Sequence, residues 1–205
     1  MEIWIDTHKI TPDEALQRLI GGNTRFISGN VSHPNQNAAR RAALVKGQAP
    51  FAIILACSDS RVSPELLFDQ GLGDLFVIRV VGNVVDEGVA ASAEYAVEHL
   101  HTPLLLVLGH QQCGVVTAAL LHGSQSENDA KNLRAILNHV IPALKDINPH
   151  HSDQQRLAAA IEANVRQSMK VLAAQPILAS AVAVHSLRIV GAVHELSTGK
   201  VQFLS

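Results

Sequence analysis

The stretch FAIILACSDSR, residues 51–61, joins a short apolar run directly to a polar segment that contains a cysteine. Such a continuous apolar run is typical of a strand buried on both faces of a parallel sheet. Two similar runs lie at residues 75–81 and 104–108, with segments of helical length between the runs. This order predicts an α/β fold with a mostly parallel central sheet flanked by helices and right-handed crossovers.

The rest of the sequence extends this pattern on both sides. Further helices are expected over residues 87–100, 113–122, 130–144 and 152–173. An apolar run at residues 186–193 precedes a Thr-Gly turn and a short strand at 201–204, which predicts a C-terminal edge strand.

An N-terminal helical arm is expected before the sheet. The segment TPDE, residues 11–14, places Thr as the cap, Pro at the first helical position and Glu three residues past the cap. This helix is expected to end near Leu19, before the Gly-Gly pair at residues 21–22, and a second helix to cover residues 38–45. The sequence leaves open whether the arm covers its own chain or a neighbour.

The prediction is a single domain over residues 1–205, with the arm at 1–47 and the α/β core at 51–205. The chain is 47% hydrophobic and 17% charged with a formal net charge of −2, which excludes disordered and strongly basic nucleic-acid-binding classes. No apolar stretch approaches the roughly 20 residues that span a bilayer, and no secretory signal is visible at the start. We expect a cytoplasmic protein without nucleic-acid or membrane partners, and sequestration in a bacterial compartment stays open.

Both cysteines of the chain have neighbours typical of a metal site. Cys57 follows the first predicted strand and His110 lies just past the third, so both occupy carboxyl ends of parallel strands, where open α/β sheets bind ligands. Cys113 comes three residues after His110, at the expected start of a helix. Three protein ligands that leave a fourth position free are typical of catalytic zinc, which thiolates and imidazole favour over magnesium or calcium.

Two charged residues follow Cys57 closely. Asp59 could be a fourth metal ligand, a hydrogen-bond acceptor for metal-bound water or a simple loop carboxylate. A guanidinium at Arg61 would keep the carboxylate ionised and fix its orientation through a bidentate pair.

The segments CSDSR at residues 57–61 and GHQQCG at 109–114 together resemble the β-class carbonic anhydrases. The similarity includes GNTRF at 22–26, GQAP at 47–50, EYAV at 94–97 and IVGAVHELSTG at 189–199, and so covers nearly the whole chain. The resemblance implies that one Zn²⁺ per chain is held by Cys57, His110 and Cys113, with Asp59 and Arg61 as the catalytic pair.

The resemblance also implies a substrate pocket. Its residues would be Gln48, Phe76, Val81, Gly82 and Tyr95. Similar proteins form homodimers or higher multiples of dimers, in which Gln48, Phe76 and Tyr95 reach the partner's site. The chain departs from the commoner family pattern at RVVGN, residues 79–83.

These pocket residues are typical of the plant-like subgroup, whose site stays open. The subgroup that closes its site with the aspartate has a Trp where this chain has Ile54, although Arg79 matches another residue of that subgroup's anion pocket. The implied activity is the reversible hydration of carbon dioxide to bicarbonate and a proton by zinc-bound hydroxide, with Gln48 donating a hydrogen bond to the product. His99 is a candidate proton shuttle among eleven histidines.

Other functions are weighed against this one. A related zinc hydrolase could act on carbonyl sulfide or carbon disulfide with the same ligands. A structural-zinc assembly protein could close the site with Asp59 as fourth ligand. Thiol redox chemistry is disfavoured because no Cys-x-x-Cys pair occurs. His185 and His194 receive no role.

Overall fold

The computed structural model describes residues 10–122 and 131–204, with the side chain of residue 122 left out. The helices are α1 (Pro12–Ile27), α2 (Ala38–Leu44), α3 (Pro64–Leu67), α4 (Glu87–Glu98), α5 (Gly114–His122), α6 (Lys131–Val140), α7 (Asp153–Ala173) and α8 (Pro176–Ala183). The strands are β1 (Ala52–Ala56), β2 (Leu75–Arg79), β3 (Leu104–His110), β4 (Arg188–His194) and β5 (Val201–Phe203). Two 3₁₀ turns lie at Val81–Asn83 and Ile141–Leu144.

The strands form one sheet in the order β2-β1-β3-β4-β5. The first four are parallel and β5 runs antiparallel to β4. The predicted fold class and the C-terminal edge strand are therefore confirmed. Every residue of β1 and β3 is buried, as expected for central strands covered on both faces.

Helices cover both faces of the sheet. Ile54 of β1 belongs to an apolar cluster with Leu16 and Leu19 of α1, whereas Ile53 belongs to a cluster with Val165 and Leu172 of α7. This alternation follows from the two-residue period of a strand. Helix α1 therefore buries apolar side chains against its own chain, which answers the question that the sequence left open for this helix.

The predicted end of α1 near Leu19 is wrong, because the helix continues through the Gly-Gly pair to Ile27. A Cβ at Gly22 would lie 1.7 Å from the carbonyl oxygen of Phe68, so the glycine is needed for close packing. Asn23 then donates hydrogen bonds to the Leu67 and Gly199 carbonyls. The glycine pair provides space for a neighbouring segment and does not stop the helix.

Several other boundaries differ from the prediction. Helices α3 and α8 were not expected, and strand β2 ends at Arg79 because the turn that follows has positive φ angles at Gly82 and Asn83. The helix expected over 130–144 gives way at Val140 to the 3₁₀ turn, whose Pro142 lacks an amide hydrogen. Residue 130, like residues 1–9, lies outside the described part of the chain. No described helix is long and apolar enough to cross a membrane.

Candidate metal centre

The three predicted metal ligands come together at the carboxyl edge of the sheet. Cys57 follows β1, His110 is the last residue of the neighbouring strand β3, and Cys113 directly precedes α5. Their ligand atoms all lie within 4.8 Å of one another, and all three side chains are buried. These three side chains could therefore hold a single metal ion.

The hydrogen bonding of His110 leaves one of its ring nitrogens, Nε2, able to bind a metal. Its Nδ1 lies 2.9 Å from the carbonyl oxygen of Gln111, so Nδ1 carries the proton and donates to that oxygen. Nε2 of His110 is buried and has no hydrogen-bond partner among the described residues. A metal ion would satisfy this buried nitrogen, which lies within 4.8 Å of both sulfurs.

The two thiols differ in their surroundings. The Cys57 sulfur accepts hydrogen bonds from the Cys113 thiol and from the backbone amides of Asp59 and Gly82. These bonds and the nearby His110 side chain lower the pKa of Cys57 against the opposing effect of burial. The pKa of Cys113 is raised because its thiol donates to Cys57 and because it is buried. Two thiolates and a neutral imidazole are a donor set that fits zinc.

The predicted Asp59 and Arg61 pair is formed in the structure. Arg61 Nε donates to Asp59 Oδ1 over 2.9 Å, and Nη2 donates to Oδ2 over 2.7 Å. The side-chain hydrogen bond from Arg61 holds the pKa of Asp59 well below its usual range. Asp59 Oδ2 also lies 3.9 Å from His110 Nε2, so an ionised carboxylate borders the ligand cluster.

Arg79 has a role that the sequence did not reveal. From the end of β2 its Nε donates to the Cys57 carbonyl over 3.1 Å, and its Nη2 donates to the Asp59 carbonyl over 2.7 Å. These bonds fix the backbone of the segment that contains Cys57 and Asp59. The signal in the sequence was its position near the carboxyl end of the second predicted strand.

The remaining predicted site residues lie at different distances from the cluster. Gly82 reaches it directly, because its amide nitrogen is 3.3 Å from the Cys57 sulfur. The rings of Phe76 and Tyr95 have centroids 6.4 Å apart, and those of Tyr95 and His99 are 5.0 Å apart. The described hydrogen bonds and ring contacts of this chain do not connect Phe76, Tyr95, His99 or the exposed Gln48 to the ligand cluster. Val81, at the start of the turn that contains Gly82, is 40% exposed.

This arrangement defines a class of protein, namely a metalloenzyme with three protein ligands, a free coordination position and an ionised acceptor beside it. Comparisons with known proteins narrow the class. The family model described as carbonic anhydrase matches residues 52–201. Carbonic anhydrase 2 of Mycobacterium tuberculosis is 38% identical over 190 residues, which cover 92% of this chain and 91% of that protein. The carbonic anhydrase of Mycolicibacterium smegmatis is 38% identical over 197 residues, which cover 95% and 94%.

Solved structures of β-carbonic anhydrases are also similar to this chain. The β-carbonic anhydrase CcaA has a TM-score of 0.76 at 28% identity and covers 93% of this chain and 91% of its own. The Coccomyxa β-carbonic anhydrase, solved with acetazolamide, has a TM-score of 0.74 at 29% identity and covers 92% and 86%.

The chain belongs to the carbonic anhydrase family, and its fold and ligand set place it in the β class. This membership confirms the predicted enzyme class, the predicted zinc cofactor and the predicted hydration of carbon dioxide.

Proposed function

We propose that the protein catalyses the reversible hydration of carbon dioxide with one zinc ion per chain, held by Cys57, His110 and Cys113. The observation that supports these ligands is their close approach, within 4.8 Å, together with the unpartnered Nε2 of His110. When bound there, zinc supplies the Lewis acidity that makes water a nucleophile near neutral pH. The residues around it hold the cysteines in place, orient the nucleophile and transfer the proton.

Asp59 orients the nucleophile. Arg61 donates to Oδ1 from its backbone amide and its Nε, and to Oδ2 from Nη2 alone. Oδ2 therefore keeps a further acceptor position near the ligand cluster. The carboxylate therefore accepts a hydrogen bond from the attacking oxygen and aims its lone pair at the substrate carbon. Because its pKa is held low, Asp59 is an acceptor and not the base that removes the proton.

The site belongs to the open, plant-like subgroup. Both carboxylate oxygens of Asp59 are bound by Arg61, which supports a site in which Asp59 is not itself a metal ligand. The side chain of Ile54 is fully buried in the core and offers no hydrogen-bond donor, and the guanidinium of Arg79 binds two backbone carbonyls. The groups that would hold an inhibitory anion in the closed subgroup are thus absent or engaged.

The substrate pocket is completed by a second chain. Strand β2 is an edge of the sheet, all but its last residue are half-buried, and nearby Val81 and Tyr95 are 40% and 48% exposed. An apolar edge strand of this kind can pair with another chain. In the homodimer Phe76 and Tyr95 line the partner's pocket, and Gln48 donates a hydrogen bond to the substrate there.

Proton transfer to bulk water uses an exposed group near this pocket. The side chain of His99 is 53% exposed and its ring packs 5.0 Å from that of Tyr95, which lies at the proposed interface. An imidazole in this position can carry a proton between the pocket and solvent. The cytoplasmic location expected from the sequence stays a prediction.

The test combines zinc content with carbon dioxide hydration. Cys57→Ser and His110→Ala are expected to lose both, because two remaining ligands bind zinc too weakly. Full retention of zinc and activity in Cys57→Ser would refute the ligand assignment.

Parallel assays with carbonyl sulfide and carbon disulfide are expected to show little turnover, and a preference for either would identify the related hydrolase. A monomer in sedimentation would contradict the shared pocket.

A further inference from the structure

The turn at Val81–Asn83 has a backbone conformation that needs support. Gly82 has φ 73° and Asn83 has φ 45°, and both residues are buried. Positive φ is uncommon for a residue with a side chain, although asparagine adopts it more readily than most. The amide of Gly82 nevertheless lies 3.3 Å from the Cys57 sulfur, so this conformation sets a hydrogen bond to a predicted zinc ligand.

Two polar side chains of α7 bind this turn from behind. Asn164 Nδ2 donates to the Gly82 carbonyl over 2.8 Å, and Ser168 Oγ donates to the Asn83 carbonyl over 2.9 Å. The two residues are four positions apart and so share one face of the helix. They are only 1% and 3% exposed, respectively. A buried polar group that has lost its hydration is costly unless it forms a hydrogen bond, so these two bonds offset part of the cost of burial.

Helix α7 reaches the turn because two strands allow a close approach. A Cβ at Gly109 of β3 would lie 2.6 Å from Val165, and one at Gly191 of β4 would lie 2.6 Å from Met169. Val165 and Met169 are the neighbours of Asn164 and Ser168 along the helix. The same packing that seats α7 on the sheet therefore presents its polar pair to the turn.

We propose that Asn164 and Ser168 are positioning residues for the metal centre. They hold the Val81–Asn83 turn so that the Gly82 amide donates to the Cys57 sulfur and partly offsets the negative charge on that sulfur. This inference rests on the proposed function, in which Cys57 is a zinc ligand. Neither residue touches the ligand cluster itself in the described contacts, and both act through the backbone of the turn.

The physical argument concerns the hydrogen bond to sulfur. An amide donor fixes the position of a sulfur ligand and lowers the energy of its lone pairs, so it affects both how well the site binds a metal and the energy of charge transfer from sulfur to metal. Without Asn164 and Ser168, the carbonyls of Gly82 and Asn83 would be buried and unpaired, and the turn would relax toward a conformation that satisfies them. The Gly82 amide would then move away from the sulfur.

The test uses Asn164→Leu, which keeps the side-chain size and removes the donor, and Ser168→Ala, which deletes only a hydroxyl. Zinc affinity is measured by chelator competition, and the Co²⁺-substituted protein reports the energy of its thiolate-to-metal charge-transfer band. We expect zinc affinity to fall about tenfold and the band to shift to longer wavelength in both variants. If Asn164→Leu does not fold, Ser168→Ala still gives the result.

A matched control separates positioning from general destabilisation. Asn23 is also a buried asparagine that binds backbone groups, at Leu67, Gly199 and Val201, but it lies outside the metal centre. Asn23→Ala is expected to lower thermal stability and leave the band unchanged. An unshifted band with wild-type zinc affinity in Ser168→Ala, or an equal shift in Asn23→Ala, would overturn the inference. If Cys57→Ser itself keeps zinc, the ligand assignment fails, and that result is distinct from a failure of the positioning role.

Discussion

Two carboxylates of this chain are each paired with an arginine, and they differ in what else they bind. Asp69, paired with Arg25, also accepts hydrogen bonds from the Ser32 amide and hydroxyl and from the His33 amide, and its side chain is 1% exposed. Asp59 accepts from Arg61 alone among the described residues. A carboxylate whose acceptor positions are filled fixes a loop, whereas one with a free position beside metal ligands can bind a reacting group.

The causes of their low pKa values differ in the same way. The pKa of Asp59 is lowered chiefly by the side chain of Arg61. Burial alone would raise the pKa of Asp69, but the hydrogen bonds from Ser32, Arg25 and His33 outweigh burial and lower it. Ionisation of Asp69 is therefore linked to the fold of the loop around Ser32, while ionisation of Asp59 is linked to one exposed guanidinium.

The largest effect is expected from Asp59→Asn. An amide at this position presents a donor where the carboxylate accepts, so we expect hydration to fall about 100-fold or more while zinc content stays at the wild-type level. Loss of the half-exposed pair with Arg61 should change the free energy of unfolding by no more than about 1 kcal/mol. Stopped-flow hydration assays on zinc-loaded protein measure the effect. Activity within threefold of wild type would remove the distinction between the two carboxylates.

Asp69→Asn is expected to give the opposite result. It leaves Arg25 and the amides of Ser32 and His33 without their anionic acceptor, which is itself buried, so we expect a loss of about 2–4 kcal/mol in the free energy of unfolding. Hydration per bound zinc should be unchanged. The measurement is denaturant unfolding at pH 7. A matched control is Asp13→Asn, since Asp13 is 81% exposed in its pair with Arg188 and should contribute less than about 1 kcal/mol.

The two carboxylates also show which contacts can be predicted from the sequence and which cannot. CSDSR brings Asp59 and Arg61 within two residues of Cys57, so their pairing is local and could be predicted. The partners of Asp69 are 36 or more positions away, and Asn164 binds Gly82 across 82 positions. Contacts of this kind depend on how helices pack on the sheet, which periodicity does not specify.

The end of α1 was mispredicted for the same reason. A Gly-Gly pair usually signals a helix end, but Gly22 faces the backbone of Phe68, which the sequence places far along the chain. The parallel strands, in contrast, were predicted correctly because their continuous apolar runs are themselves local. The ligand set followed from those runs, since strand ends in a parallel sheet meet at one edge.

A smaller effect is expected in acid. Because the pKa of Asp69 is lower in the folded protein than in the unfolded chain, its stabilisation is present above the unfolded value of about 3.9 and is lost as pH falls further toward the folded value. The difference in free energy of unfolding between wild type and Asp69→Asn should therefore be constant from pH 7 to 5 and shrink below about pH 4. We expect both proteins to release zinc in acid, so the difference between them isolates the carboxylate. A difference that stays constant to pH 3 would contradict the role given to Asp69.

The last prediction is that the position of Asp59 does not change between pH 7 and 8.5, with or without bicarbonate. Closure of the site would break both hydrogen bonds from the Arg61 guanidinium, which are 2.9 and 2.7 Å long, and would add a third anionic ligand to zinc. No bound anion is available to offset that cost, because Ile54 supplies no donor and Arg79 binds the Cys57 and Asp59 carbonyls. Crystal structures of the zinc-loaded protein at both pH values should keep the Asp59 and Arg61 pair intact. An Asp59 oxygen about 2.0 Å from zinc at pH 7, displaced only at the higher pH, would place the chain in the closed subgroup and make Asp59, like Asp69, a carboxylate with its acceptor positions filled.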